Sequence, residues 1–184
     1  LSQKLQQMKK LSKLGALAFL AAVLFFTTDV KAQTTPADAF TLGLGIETGN
    51  PLGQARLGSH FTLGGTARLQ YGITNDLAAT LTAGGYHFFP IKIPGQNVRY
   101  GSFGEIPVKA GLKEFFLPNI YVAGEAGVAW EKLEKGWGPH RLDLSPGVGY
   151  ANKHWDFSFR YENFSNSVDH FGLLGLRVGY GFGL

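Results

Sequence analysis

Trp155-Asp156-Phe157-Ser158-Phe159-Arg160-Tyr161-Glu162 alternates without a fault between a large aromatic ring and a small or charged polar group. Successive side chains of a β-strand point to opposite faces, so this octapeptide as a strand has one aromatic face and one polar face. The same period of two runs outward from it in both directions. Towards the C-terminus, Leu174, Leu176, Val178, Tyr180 and Phe182 oppose Gly175, Arg177, Gly179 and Gly181. Towards the N-terminus, comparable alternations surround Leu42, Leu63, Leu81, Val108, Val122 and Leu144. Eight strands of about ten residues follow, the length a tilted strand needs to cross a bilayer.

The connections alternate in length. Ile73-Thr74-Asn75-Asp76, Leu117-Pro118-Asn119 and Asn152-Lys153-His154 read as tight turns, whereas Asn50–Arg56, Phe89–Ser102, Lys132–His140 and Asn163–Asp169 read as longer loops. Short turns at one rim and long loops at the other describe a transmembrane barrel. Pro146 falls within a strand, a blemish tolerable at a bulge or strand end. Alternation alone does not say which face meets lipid, but the polar face does. It holds mostly Gly, Ala, Ser and Thr with scattered charges of both signs, as a narrow barrel interior requires and a water-facing sheet does not. The reading is an all-β fold, an eight-stranded antiparallel transmembrane β-barrel over residues 39–184.

The first 32 residues read differently. Met8-Lys9-Lys10-Leu11-Ser12-Lys13 is basic, Leu14 to Phe26 is an apolar or glycine run, and Val30-Lys31-Ala32 offers small residues at −3 and −1 of a cleavage site. This is the pattern of a secretory signal peptide, with Met8 as the expected start and Gln33 as the first mature residue. The apolar run is shorter than a membrane-spanning helix. Residues 33–38 then form a short tether. The whole formal net charge of +4 sits in this leader, on Lys4, Lys9, Lys10, Lys13 and Lys31 against Asp29. The remainder is neutral, which argues against a nucleic-acid partner. The chain has no cysteine, which excludes disulfides, thiolate metal sites and cysteine nucleophiles.

Glu105, Lys109, Lys113, Glu125, Asp143, Arg160, Glu162 and Arg177 should all point inward and neutralise one another, since a buried charge without a partner is costly. Tyr71, Tyr150, Trp155 and Tyr180, with Phe115, gather at the short-turn end. Trp130, Phe61, Phe88, Phe103 and Tyr161 gather at the long-loop end. Two aromatic girdles are what membrane interfaces favour. His60, His87, His140, His154 and His170 are dispersed without a metal-ligand spacing, and His60 and His87 fall on polar faces near the long-loop rim. No cofactor motif is present.

Ile106-Pro107-Val108-Lys109-Ala110-Gly111-Leu112-Lys113 resembles a strand motif of the small outer-membrane β-barrel domain proteins of Gram-negative envelopes. So do Leu144-Ser145-Pro146-Gly147-Val148-Gly149-Tyr150 and Gly175-Leu176-Arg177-Val178-Gly179-Tyr180-Gly181-Phe182. The resemblance spans most of residues 40–184. It implies export to the outer membrane and contact with its lipids and lipopolysaccharide. It also implies insertion by the barrel-assembly machinery, with Tyr180 and Phe182 carrying the recognition signal because the chain ends in Leu184. A second, local motif, Arg160-Tyr161-Glu162-Asn163-Phe164-Ser165-Asn166, is similar to that of outer-membrane lipid A 3-O-deacylases. Ser165 matches the nucleophile, but the histidine position holds Asn163, and an amide cannot take the serine proton. The expectation is a non-enzymatic barrel with a plugged polar interior. It acts in envelope structure or through surface contacts, with Lys92, Arg99 and Tyr100 in the longest loop as the contact surface, where Arg and Lys would meet lipopolysaccharide phosphates. The alternatives are a narrow channel for small solutes and a deacylase-like hydrolase using Ser165.

Overall fold

The computed structural model describes residues 36–184. The leader and the first residues of the tether lie outside the described residues. Eight strands follow in chain order: β1 (Phe40–Gly53), β2 (Ser59–Gly72), β3 (Leu77–Pro90), β4 (Phe103–Leu117), β5 (Ile120–Leu133), β6 (Trp137–Ala151), β7 (Trp155–Ser165) and β8 (His170–Gly183). Each pairs antiparallel with its neighbours in sequence, and β1 pairs with β8, so the sheet closes on itself as a barrel. Closure leaves no edge of unpaired backbone groups, which is the condition for a sheet to stand in hydrocarbon.

The alternation sorts the two faces as the sequence pattern requires. Leu44, Ile46, Leu81, Leu112, Val148, Phe159 and Leu176 are exposed on the outside, while Glu47, Arg68, Lys109, Glu125, Asp143 and Arg177 are buried inside. An apolar exterior around a polar interior inverts the arrangement of a water-soluble barrel, and the fold is a transmembrane β-barrel.

Several details depart from the sequence reading. Seven of the eight strands run to 14 or 15 residues and project beyond a bilayer's needs, while β7 has 11. The expected loop Lys132–His140 is largely strand, with only residues 134–136 between β5 and β6, because Gly136 (φ 96°) supplies a tight left-handed turn. Phe88, Phe103 and Phe115 point inward and leave the girdles, since each shares its strand face with an interior residue: Tyr86, Glu105 and Lys113 respectively. By the same parity His87, one residue after the buried Tyr86, points outward, edge-on to Phe89 with ring centroids 4.7 Å apart.

Pro146 sits in mid-strand without a bulge. The β6–β7 register is the same on both sides of it, from Leu144 opposite Asn163 to Gly147 opposite Arg160, but the two pairs between are missing. Pro107 leaves the matching gap in the β3–β4 ladder, between Ala83 opposite Val108 and Tyr86 opposite Glu105. A proline has no N–H to give the ladder. The barrel accepts this at two places because each strand keeps its other neighbour: Pro107 still stands opposite Ala129, and Pro146 opposite Gly124.

At the short-turn rim, the end of the tether is fastened. Ala37 bridges Gly72, the Asp38 N–H donates to the Gly72 carbonyl (2.9 Å), and the Tyr71 hydroxyl donates to the Asp38 carboxylate (3.0 Å).

Candidate functional site

Two places gather polar chemistry: the bore and the long-loop rim. The bore holds six acids (Glu47, Glu105, Glu125, Asp143, Asp156, Glu162) and six bases (Arg68, Lys109, Lys113, Arg141, Arg160, Arg177), none more than 8% exposed. Equal numbers make the interior neutral, so nothing in it selects ions by sign.

The charges form a continuous stack. Nearest the short turns, the Asp156 carboxylate accepts from Lys113 Nζ (2.6 Å) and the Tyr121 hydroxyl (2.7 Å), with Arg177 Nη1 at 3.6 Å. Lys113 also donates to Gln70 (3.2 Å), and its Nζ lies 4.0 Å from the centre of the Tyr121 ring. Further up, Glu125 accepts from Arg68 (3.2 Å), Thr80 (3.0 Å) and Thr82 (2.6 Å). Glu47 accepts from Thr66 (2.6 Å) and pairs with both Arg177 (3.4 Å) and Arg160. The Tyr86 hydroxyl stands 2.9 Å from Glu47 and 3.0 Å from Glu162, a donor shared between two carboxylates. Lys109 Nζ lies 3.0 Å from Glu162 and 3.5 Å from Asp143. At the top, one guanidinium serves three acids: Arg141 bonds Glu105 (3.3 Å), Glu131 (3.2 Å) and Asp169. Glu105 and Glu131 are directly opposed across β4 and β5, a repulsive pairing that Arg141 neutralises.

The sequence named eight of these residues, and all eight are in the bore. Lys109, Asp143, Glu162 and Arg160 meet in one cluster, Glu125 joins Arg68, Lys113 and Arg177 converge on Asp156, and Glu105 joins Arg141. Glu47, Arg68, Asp156, Arg141, Tyr86 and Tyr121 were missed. Parity alone would have found Glu47, Arg68 and Asp156. Arg141 escaped because β6 begins earlier than its hydrophobic pattern suggests.

Two glycines make room for the stack. Gly45 and Gly179 face each other across β1 and β8, and a Cβ on either would lie within 2.7 Å of the Arg177 guanidinium. Arg177 therefore lies flat on a shelf of bare backbone. Above the charges the bore is shut by rings. Phe88 stacks on Phe103 (centroids 4.3 Å apart), Phe171 meets both edge-on, and Phe164 stacks on Phe171 (5.0 Å). The Arg141 guanidinium lies 5.4 Å from the Phe171 ring and joins the plug to the charges. At the other end, a cavity of about 20 Å³ among Thr41, Gln70, Lys113, Asp156 and Arg177 has room for a single water.

On the outside, Tyr71 packs on Phe40, Trp155 stands edge-on to Tyr180, and Tyr150 is half-exposed; all lie at the short-turn end, with Trp130 at the other. Ser165 is opposite Leu142 on one side and His170 on the other. Ser165 lines one surface cavity with His140 and Asp169, and among the described residues no hydrogen bond joins Ser165 to an imidazole. No group of three or more metal-ligating side chains is present among the described residues.

At the long-loop rim the fixed contacts are few. Glu134 accepts from the Ser102 N–H (3.1 Å) and hydroxyl (3.0 Å), which hold its carboxyl below the usual range. This ties the β5–β6 turn to the end of the β3–β4 loop (residues 91–102).

Comparison with solved structures places this geometry. Ail, the attachment invasion locus protein of Yersinia pestis, superposes with a TM-score of 0.55 at 15% identity, over 79% of this chain and 99% of that one. The fold is that of the small outer-membrane β-barrels. Neisserial surface protein A superposes equally well, with a TM-score of 0.55 at 19% identity over 78% of this chain and 97% of that one. Ail has also been solved in complex with the heparin analogue sucrose octasulfate, at the same 0.55 and 15%. No family model and no curated protein matches the sequence.

Proposed function

We propose that the chain is an integral outer-membrane protein with a sealed bore, acting in envelope structure and in surface contacts made by its long-loop rim. The observation that carries this reading is the interior itself. Twelve paired charges fill the barrel, and four phenylalanines close its outer mouth, so the residues a channel would use as its lining are spent on one another. In this reading the protein arrives by the secretory pathway and is inserted by the barrel-assembly machinery, to which it presents the outward-facing Tyr180 and Phe182. Its partners are outer-membrane lipids and lipopolysaccharide, and catalysis has no part in it. Reconstitution in planar bilayers tests the reading: baselines should stay flat at all moderate voltages. Unitary conductance steps from the unaltered protein would establish a channel instead. Loss of an acyl chain from lipid A on expression, abolished by Ser165→Ala, would establish a hydrolase.

A further inference from the structure

The loop between β3 and β4 folds on itself by backbone hydrogen bonds. Ile93-Pro94-Gly95-Gln96 forms a type II turn: the Gln96 N–H donates to the Ile93 carbonyl (3.0 Å), Pro94 presets the first corner, and Gly95 takes the positive φ of the second (75°). The turn folds residues 91–100 into a small hairpin, in which Lys92 bridges Arg99. The flanking bonds, Ile93 N–H to Val98 O (2.8 Å) and Tyr100 N–H to Ile91 O (3.0 Å), make Lys92 and Arg99 a non-hydrogen-bonded pair. In an antiparallel ladder that is the pair whose side chains stand closest, with Cα atoms about 4.5 Å apart. The hairpin is fastened to the barrel by the Ile91 N–H, which donates to Gly58 O (2.9 Å), and by the Tyr100 ring, which lies against Gly58.

The backbone thus holds two cations side by side, a repulsive arrangement in isolation. Among the described residues neither has an acidic partner. Between Thr48 and Ser102 the only acid is Asp76, in a turn at the opposite rim, and Glu134, tied to Ser102, is engaged with its own donors. The other face of the hairpin is apolar. Val98 is 58% exposed and Tyr100 37%, and Leu57, in the 3-10 turn Gln54–Leu57 next to Gly58, is 72% exposed. Two cations on one face of a hairpin whose other face is apolar, at the rim of a transmembrane barrel, match a surface of amphiphiles with anionic heads.

We propose that Lys92 and Arg99 form a clamp for the phosphate groups of lipid in the leaflet around the long-loop rim. A phosphate between the two side chains removes their repulsion and gives each a charge-assisted bond. The clamp rests on the reading of the barrel as an outer-membrane protein.

The test uses the purified protein in neutral detergent micelles, with bisphosphorylated lipid A as the probe and native mass spectrometry to count retained lipid. The unaltered protein should retain lipid A, and the double variant Lys92→Ala/Arg99→Ala should bind it roughly thirtyfold more weakly. Lys92→Arg/Arg99→Lys, which keeps both charges, should restore binding, and dephosphorylated lipid A should not be retained. Equal retention by the alanine variant overturns the clamp. So does displacement of the lipid by millimolar inorganic phosphate, which would mean a free-phosphate site, or preferential capture of a soluble sulfated polysaccharide, which would mean a different class of partner. The same samples run unheated and boiled on a gel separate the two claims. A heat-induced mobility shift without lipid retention sinks the clamp alone, whereas no shift sinks the barrel reading beneath it.

Discussion

The bore and the β3–β4 hairpin are built from the same basic side chains and treat them in opposite ways. Inside, Arg160 meets Glu47 and Glu162, Lys113 meets Asp156 and Gln70, and Arg141 meets three carboxylates. On the hairpin, Lys92 and Arg99 face each other with no acid between them. A buried charge must be paired or the fold fails, so pairing in the bore reports on stability. An exposed charge need not be paired, so two like charges held together by a turn do not report on stability in the same way.

The most severe way to break this contrast is to unpair a charge in the bore. Glu162→Gln strips Lys109 and Arg160 of a carboxylate at 3.0 and 2.5 Å and should cost about 3–5 kcal/mol. It would be read as a lower temperature for the heat-induced gel shift or a lower urea midpoint in micelles. Next comes a charge on the wrong side of the wall. Leu176, 56% exposed halfway along β8, faces lipid, and Leu176→Lys should cost about 2–4 kcal/mol in a bilayer. The cost should shrink in detergent, where the side chain reaches water more easily. Overfilling the shelf under Arg177 is milder. Gly179→Val drives a Cβ into the guanidinium and should cost about 1–3 kcal/mol by urea titration.

On the hairpin the sign reverses. Lys92→Ala removes a like-charge opposition and should leave stability unchanged or raise it by up to about 0.5 kcal/mol. A loss of several kcal/mol from this variant would place Lys92 among the structural charges and erase the contrast. The smallest effect belongs to Glu134. Its depressed carboxyl keeps the tie to Ser102 at neutral pH and gives it up as acidification passes below the ordinary carboxylate range. The Ser102 amide should then exchange faster with solvent while the barrel strands stay protected.

The barrel was legible in the sequence because period-two alternation has a single geometric meaning once the polar face proves too poor in charge for water. Every expected strand exists, and the eight expected interior charges lie in the bore. Position along a strand was less legible than parity. Phe88, Phe103 and Phe115 occur near the rims, as girdle residues do, but side is decided by odd or even spacing from Tyr86, Glu105 and Lys113. Lys92 and Arg99 were legible as the loop's basic residues facing lipopolysaccharide phosphates, but their pairing was out of reach for another reason. The sequence offers Lys92 and Arg99 in a long loop, but only the turn at Pro94-Gly95 brings residues seven apart into register. Nor could spacing reveal that Arg177 needs Gly45, which lies on the far terminal strand.

The β1–β8 ladder has a consequence for the order of events. Seven ladders join strands adjacent in sequence and can zip as hairpins, each closing a short loop. The eighth runs from Thr41 opposite Gly183 to Gly53 opposite Phe171, and it must bring the two ends of the barrel-forming chain together. Contacts so distant in sequence are the slowest to form. Glu47 reaches Arg160 and Arg177 only across that seam, so Glu47 has no basic partner until the cylinder shuts. Closure and the pairing of Glu47 are then one kinetic step, and a half-zipped sheet carries an unpaired carboxylate and two open edges that hydrocarbon rejects.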